Sequence, residues 1–347
     1  MKLKKLLSLG LATILASSLL VGCSTNTEKT TTGSDEALKV AMVTDVGGVN
    51  DQSFNQSAWE GLQKAKKELG ADIKYLESTQ DADYAPNIET LVDEDNDLII
   101  GVGYKMADAI LEAAENYPEQ NFAIIDHDYS GDGKEIPKNI NCILFNEQEA
   151  SYLVGLIAGK MSQTGNVGFI GGMKSPVIER FQYGYMAGVE AANPETQVAI
   201  QYANSFTDAA KGKSIANQMY SQDSDIIFSA AGNVGTGAIE AAKEQNKYAI
   251  GVDRDQNDLA PDNVITSAMK RVDTAVYNTV KALKDGKFEG GKASIYGLKE
   301  DGVGIAPTTS KNVAPDVLDF VNAEGEKIKS GEIKVPADEK EYKAMKK

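Results

Sequence analysis

A single histidine, His127, occurs in the sequence, and that scarcity removes several chemistries together. Zinc sites are built from clusters of Cys and His, and a Ser/His/Asp set would have to route through this one ring. No GxSxG nucleophile elbow is present to supply the serine. No complete GxGxxG stands between a strand and a helix, and no Walker lysine follows a glycine run. No twelve-residue calcium loop occurs either. Basic residues are also in deficit, with 35 Lys and Arg against 51 Asp and Glu and a formal charge of −16. Non-specific nucleic-acid binding needs Lys and Arg to neutralise phosphates, so a chain this acidic is a poor candidate for it.

The long apolar run is confined to the start. Lys2, Lys4 and Lys5 precede a predominantly apolar stretch over residues 6–21, which ends in Leu20, Val21 and Gly22 before Cys23. A signal segment closed by cysteine matches the lipobox of bacterial lipoproteins, in which the thiol is acylated. Residues 1–22 are therefore expected to be a lipoprotein signal peptide and Cys23 the lipidation site. Sixteen residues are short for a membrane-spanning helix, which needs about 20. Acyl chains would tether the protein to the outer face of the cell membrane without a spanning helix. Removing this segment, with its three lysines and no acid, moves the formal charge from −16 to −19. The polar stretch over residues 23–36 reads as a flexible tether. With Cys23 acylated, Cys142 has no partner for a disulfide; among Ile143, Leu144 and Phe145 it reads as a small buried apolar residue.

The remaining chain alternates short apolar runs with amphipathic ones. Strands are predicted at 39–44, 72–77, 98–101, 122–126, 141–145, 166–170, 197–202, 226–229 and 248–252. Helices are predicted at 54–69, 85–93, 106–116, 148–160, 180–193, 209–221, 237–245 and 272–285. That order argues for α/β architecture with parallel sheets and crossover helices. Its length exceeds what one core readily fills, so two lobes are expected. We place lobe 1 at 37–146 plus about 254–292, and lobe 2 at 147–253 plus about 293–343, with about three crossings between them.

Ligands of open α/β sheets sit beyond the carboxyl ends of the strands. Here those ends carry Asp45, Gly101–Gly103, Asp126–Asp128, Gly171–Gly172, Asn204–Phe206, Ala231–Asn233 and Asp253–Asp255. The stretch TDVGGVNDQSFNQSAWEG, beginning at Thr44, resembles a cradle, but its ionised Asp45 and Asp51 disfavour a phosphate. A metal would have Asp45, Asp51, Asp126, Asp128 and Asp253 to draw on, yet an aromatic ring such as Phe54 suits another task. Carboxylates accept hydrogen bonds from hydroxyls and an exposed ring stacks on a ligand ring. Asp with Phe therefore fits a sugar or a nucleoside. Ser53 reads as the cap of the helix that follows, and Trp59 as part of its core stripe. A paired-carboxylate hydrolase stays chemically open, but the chain reads as a binding protein, not an enzyme, with no cofactor and no metal.

TDVGGVNDQSFNQSAWEG, IDHDY, FNEQEASYLVGLIAG, VGFIGGMKSPVIERFQYGYMAGV, YANSFTDAAKGKSIA and the loop at Asp253 together resemble the basic membrane protein family, in particular its purine nucleoside receptor (PnrA-like) branch. The resemblance runs from Lys39 into the final third of the chain. It implies a type I periplasmic-binding-protein fold, two Rossmann-like lobes closing on a nucleoside. It also implies the partners of an ABC importer, namely a permease and ATP-binding subunits. Carried onto this sequence, Asp45, Asn50, Asp51 and Phe54 would form the first wall of the cleft, with Asp126 at a neighbouring strand tip. Phe206 would face the base from the second lobe, with Phe181 as the alternative. Gly232 and Asn233 would offer backbone and amide contacts. Asp253 would grip ribose hydroxyls, and Lys270 would complete that end. Position 50 is acidic in many relatives; Asn50 keeps an acceptor and adds an NH₂ donor. The alternatives are a receptor for another neutral solute, such as a pentose or signalling sugar, and a surface interaction lipoprotein without a transport role.

Overall fold

The computed structural model describes residues 37–346; the expected signal peptide, the tether and Cys23 lie outside that range. The first sheet contains β1 (Lys39–Val43), β2 (Asp72–Leu76), β3 (Leu98–Gly101), β4 (Asn121–Ile125) and β5 (Ile140–Phe145). The second contains β6 (Asn166–Gly171), β7 (Gln197–Tyr202), β8 (Ile226–Ala230), β9 (Tyr248–Asp253) and β10 (Val264–Lys270). Two further strands, β11 (Lys292–Tyr296) and β12 (Val303–Ile305), complete them. The orders are β11-β5-β4-β3-β1-β2 and β12-β10-β9-β8-β6-β7. Each sheet thus repeats one doubly wound order, with the chain reversing direction between β1 and β3 and again between β6 and β8. All pairings are parallel except β10 with β12.

The local reasons are plain in the side chains. The inner strands β3 and β8 are buried along their whole length, as continuous apolar runs covered on both faces must be. The edge strand β2 is mostly exposed. Helices α1 (Phe54–Leu69), α2 (Tyr84–Asp93) and α3 (Ala107–Asn116) form the crossovers of the first sheet. In the second lobe follow α4 (Glu147–Met161), α5 (Pro176–Ala192), α6 (Ala209–Ser221) and α7 (Asn233–Gln245). α4 is buried around most of its circumference and carries no amphipathic stripe. The chain ends through α8 (Val272–Lys284), α9 (Pro315–Ser330) and α10 (Glu339–Met345). Cys142 is fully buried in β5, and burial pushes its thiol up to about 11.

The chain passes between the sheets three times: after β5, between β10 and β11, and between β11 and β12. Two of the expected lobe boundaries move. Residues 264–270, assigned from sequence to the first lobe, form β10 and pair with β9 in the second sheet. β11, assigned to the second lobe, pairs with β5 in the first. α8 does pack on the first lobe. At Gly61 of α1 a Cβ would collide with the Asp273 carbonyl and come within 2.9 Å of Val276 Cβ, so only glycine permits this helix contact.

β10 escapes the apolar-run criterion because VITSAMK carries Thr266, Ser267 and Lys270, all buried. Each polar group has a partner. The Thr266 hydroxyl lies 2.7 Å from that of Thr309, Ser267 Oγ accepts from Gln256 N, and Lys270 is ion-paired. Partnering removes most of the penalty for burying them. α9 was missed for a different reason: only Val321, Gly325 and Ile328 are buried in a helix otherwise rich in Lys, Asp and Glu.

Candidate ligand-binding cleft

The carboxyl ends of both sheets border one cavity, where ligands of open α/β sheets sit. Asp45 and Gly103 stand just after β1 and β3, the reversal point of the first sheet, and Asp126 just after β4. From the other side come Ala230, Ala231 and Gly232 at the end of β8, Asp253 closing β9 and Lys270 closing β10. Val177, Ile178 and Phe181 enter from the first turns of α5, and Phe206 from the loop after β7. Asp126 and Asp253 both take left-handed backbone conformations, with φ of 70° and 65°. Aspartate tolerates that region better than most residues do, and strained tips of this kind cluster at ligand sites.

Asp51 explains why the start of α1 is no phosphate cradle. Its Oδ1 accepts from the amides of Ser53 (2.9 Å) and Gln56 (3.1 Å), and its Oδ2 from the Asn55 amide (2.8 Å) and side chain (3.0 Å). The carboxylate therefore occupies the free N–H groups that an anion would otherwise find at a helix N-terminus. It also replaces Ser53, the residue expected to cap this helix. The Ser53 side chain makes no cap bond and its hydroxyl instead donates to Asp253 Oδ2 on the opposite lobe. Asp45 Oδ1 accepts from Gly47 N and Asn55 Nδ2, both at 2.8 Å. Its Oδ2 takes no hydrogen bond among the described residues and faces the side of Gly103.

A buried quartet of charges lies at the floor. Lys270 Nζ donates to both oxygens of Asp126 at 2.6 Å and stands 2.9 Å from Glu147 Oε1. Glu147 Oε2 accepts from Arg180 Nε. Burial alone would discharge Lys270, but Asp126 and Glu147 outweigh it and hold the ammonium above its usual range. Burial likewise opposes ionisation of Glu147, and Arg180 with Lys270 overcomes it, leaving its carboxyl below the usual range. Asp253 differs. Desolvation raises it to about 7, only partly offset by Lys270 and Ser53. Burial also raises Asp45 and Asp51.

Nine of the eleven ligand residues anticipated from sequence border this cavity: Asp45, Asp51, Phe54, Asp126, Phe181, Phe206, Gly232, Asp253 and Lys270. Asn50 does not; it is exposed at the tip of the loop before α1. Asn233 does not either, being the first residue of α7, where its carbonyl accepts from Thr236 Oγ1 at 2.7 Å. Phe181 is 3% exposed and packs edge-on against Phe228, so it serves core and cavity wall together. Phe206 is less constrained: its ring lies over Gly172, where any Cβ would strike it. Trp59 is only half-buried, edge-on to Tyr75 at 4.9 Å. His127 stacks edge-on to Tyr129 and takes no part in the cavity wall. Sequence reasoning overlooked Asn55, Tyr104, Lys105, Val177 and Ile178. Tyr104 and Lys105 follow β3 at the reversal point of the sheet, which was the available signal. Lys105 is paired with Asp81 at 2.7 Å.

Residues 38–339 match the family model described as "ABC transporter substrate-binding protein PnrA-like". The chain belongs to this PnrA-like family. Its curated relatives include the "CD4+ T-cell-stimulating antigen" of Listeria innocua, 44% identical over 96% of this chain and 99% of that protein. The "ABC transporter nucleoside-binding protein BmpA" of Lactococcus lactis is 37% identical over 96% and 99%. Among solved structures, a solute-binding protein of an ABC transporter system from Aeropyrum pernix superposes with a TM-score of 0.80 at 30% identity, covering 89% of this chain and 96% of that one. As a PnrA-like protein the chain is a substrate-binding component of an ABC transporter, a class that works outside the cytoplasm with a solute ligand and membrane-embedded partners. Among the described residues no helix is long and apolar enough to cross a membrane.

If Phe54 stacks on a flat ligand ring, Phe54→Ala is expected to weaken ligand binding by about 1–3 kcal/mol, roughly 5- to 150-fold. Phe54 is half-buried at the cavity edge, with the Gly103 backbone on one side and Lys270 Nζ 5.0 Å from its ring centroid. Thermal unfolding of the variant should stay close to wild type; calorimetric titration reads the affinity.

Proposed function

We propose that the protein is a lipid-anchored receptor that captures a nucleoside, most naturally a purine nucleoside, and delivers it to an ABC importer. One observation carries the reading: aromatic rings from both lobes, Phe54 and Phe206, border the same cavity as the hydroxyl-accepting carboxylates Asp45 and Asp253. Rings suit a flat base, whose faces accept stacking regardless of edge chemistry. Carboxylates suit sugar hydroxyls, each charge-assisted bond contributing about 1.5–3 kcal/mol. The charge balance favours a neutral ligand, because Lys270 and Lys105 are both already paired with acids. The name of the Lactococcus relative supports the same substrate class. Anchoring through Cys23 is part of the proposal, resting on the lipobox. No bond of the ligand changes.

Capture would proceed by hinge closure about the three crossings. Contacts from lobe to lobe that never touch the cavity favour the closed state. Arg254 grips Glu60 through two bonds, 2.7 and 3.1 Å long, and Gln256 Nε2 donates to the Gln52 carbonyl at 2.9 Å. The Arg254 pair is partly exposed, so about 0.5–1 kcal/mol is expected from it. Arg254→Ala should thus weaken nucleoside binding about 2- to 5-fold, chiefly by faster dissociation in stopped-flow traces.

Calorimetric titration of the purified protein with adenosine, guanosine, inosine, uridine and ribose tests the reading. Saturable one-to-one binding of at least one nucleoside at micromolar concentration or below, with ribose much weaker, is expected. Binding of ribose alone would move the protein to the neutral-sugar alternative, and no binding of any nucleoside would reject the proposal.

A further inference from the structure

Two residues of the charged quartet, Glu147 and Arg180, do not border the cavity. Glu147 is the first residue of α4 and is fully buried. Arg180 lies in the second turn of α5. Both belong to the same lobe as Lys270, which closes β10, whereas Asp126 belongs to the other lobe. The two carboxylates on Lys270 therefore have different fates when the lobes part. Asp126 leaves with its own sheet, and Glu147 stays.

An ammonium left without a partner in so buried a setting would be costly and would turn toward whatever acceptor it could reach. Glu147 prevents that by remaining 2.9 Å from Nζ, and Arg180 fixes Glu147 from the far side. The Phe181 ring, 5.9 Å from Nζ and in the same lobe, stays beside the ammonium, whereas the rings of Phe54 and Phe145, each 5.0 Å away, leave with the first sheet.

We propose that Glu147 and Arg180 are positioning residues for nucleoside recognition: they hold Lys270 ready in the open cleft, so that closure brings Asp126 and the sugar hydroxyls onto a preset ammonium. This rests on the nucleoside reading and goes beyond it, since neither residue touches the ligand space. The benefit is preorganisation, which lowers the ordering cost of binding. It applies only to ligands that use the Lys270–Asp126 end of the cleft. A nucleoside lacking its 2′ and 3′ hydroxyls would not draw on it.

The test compares inosine with 2′,3′-dideoxyinosine, the latter measured by competition so that millimolar affinities are readable. Glu147→Gln is expected to weaken inosine at least tenfold and to change dideoxyinosine less than twofold. Because this substitution leaves Arg180 and Lys270 close together with one carboxylate fewer, the doubly substituted Glu147→Gln/Arg180→Gln protein is measured beside it. Restoring charge balance should recover its melting temperature without recovering inosine affinity. Equal losses for both ligands, or full recovery of inosine affinity in the double variant, would overturn the positioning role and leave the nucleoside reading standing. Failure of the wild-type protein to bind inosine or any other nucleoside would overturn both.

Discussion

Replacing Asp253 by Asn is expected to weaken nucleoside binding by at least about a hundredfold. Two charge-assisted bonds to vicinal hydroxyls contribute about 3–6 kcal/mol together, equivalent to roughly 10²- to 10⁴-fold. The amide keeps the shape and can still accept from Ser53, so the fold should persist. The wild-type side chain brings a pH signature as well. Its carboxyl sits near 7 because burial opposes the charge, against an ordinary value of 3.8. Hydroxyl donors prefer the ionised form, so ligand binding should release a proton below that pH. Affinity is then expected to rise by up to about tenfold per pH unit from pH 5.5 to 7 and to level off above. The stability term has the opposite sense. A carboxyl raised on folding contributes stability that is present below pH 3.8 and lost as pH rises through about 7. Asp253→Asn should remove its share of both trends, leaving only what Asp45, Asp51 and Asp126, also raised by burial, contribute. Titrations across this pH range, in buffers of different ionisation enthalpy, read the proton release directly.

Lys270→Met is expected to give the largest loss of stability, about 3–5 kcal/mol, because it strands carboxylates that are hidden from water. Asp126 would lose its only ion-pair partner among the described residues, and Glu147 would retain Arg180 alone. Urea unfolding at pH 7 measures the loss. Two rescues distinguish a stranded charge from a simple packing defect. Acidification should recover part of the stability by protonating Asp126, and Lys270→Met/Asp126→Asn should recover more of it at neutral pH. If neither restores stability, the ion pair is not what holds this part of the cleft together.

Much of the architecture was legible because the inner strands sit between helices on both faces. Runs such as 98–101 and 226–229 are then apolar almost throughout, with every residue buried. The same criterion failed at β10, whose Thr266, Ser267 and Lys270 are buried but partnered by residues 43, 11 and 144 positions away. Long-range partnering of this kind leaves no local trace, and the lobe boundaries shifted with the strand. Within the cleft, residue type and strand-tip position were enough to single out Asp45, Asp126 and Asp253. They were not enough to separate Asp51, which caps its helix, from Ser53, which reaches across to the second lobe. That exchange of roles is decided by backbone geometry, with Gln52 between them at a φ of 56°. Glu147 and Arg180 stood inside the recognised motifs FNEQEAS and ERFQYG, yet their meeting across two helices was visible only once α4 and α5 were packed together.

The most direct test of the account is a crystal structure of the protein grown with inosine. The account predicts one inosine inside the cavity, its base between Phe54 and Phe206 and its ribose hydroxyls on Asp253 with the Lys270–Asp126 pair at the same end. Inosine bound elsewhere on the surface, or a cavity filled by a phosphorylated compound or a bare ion, would contradict it.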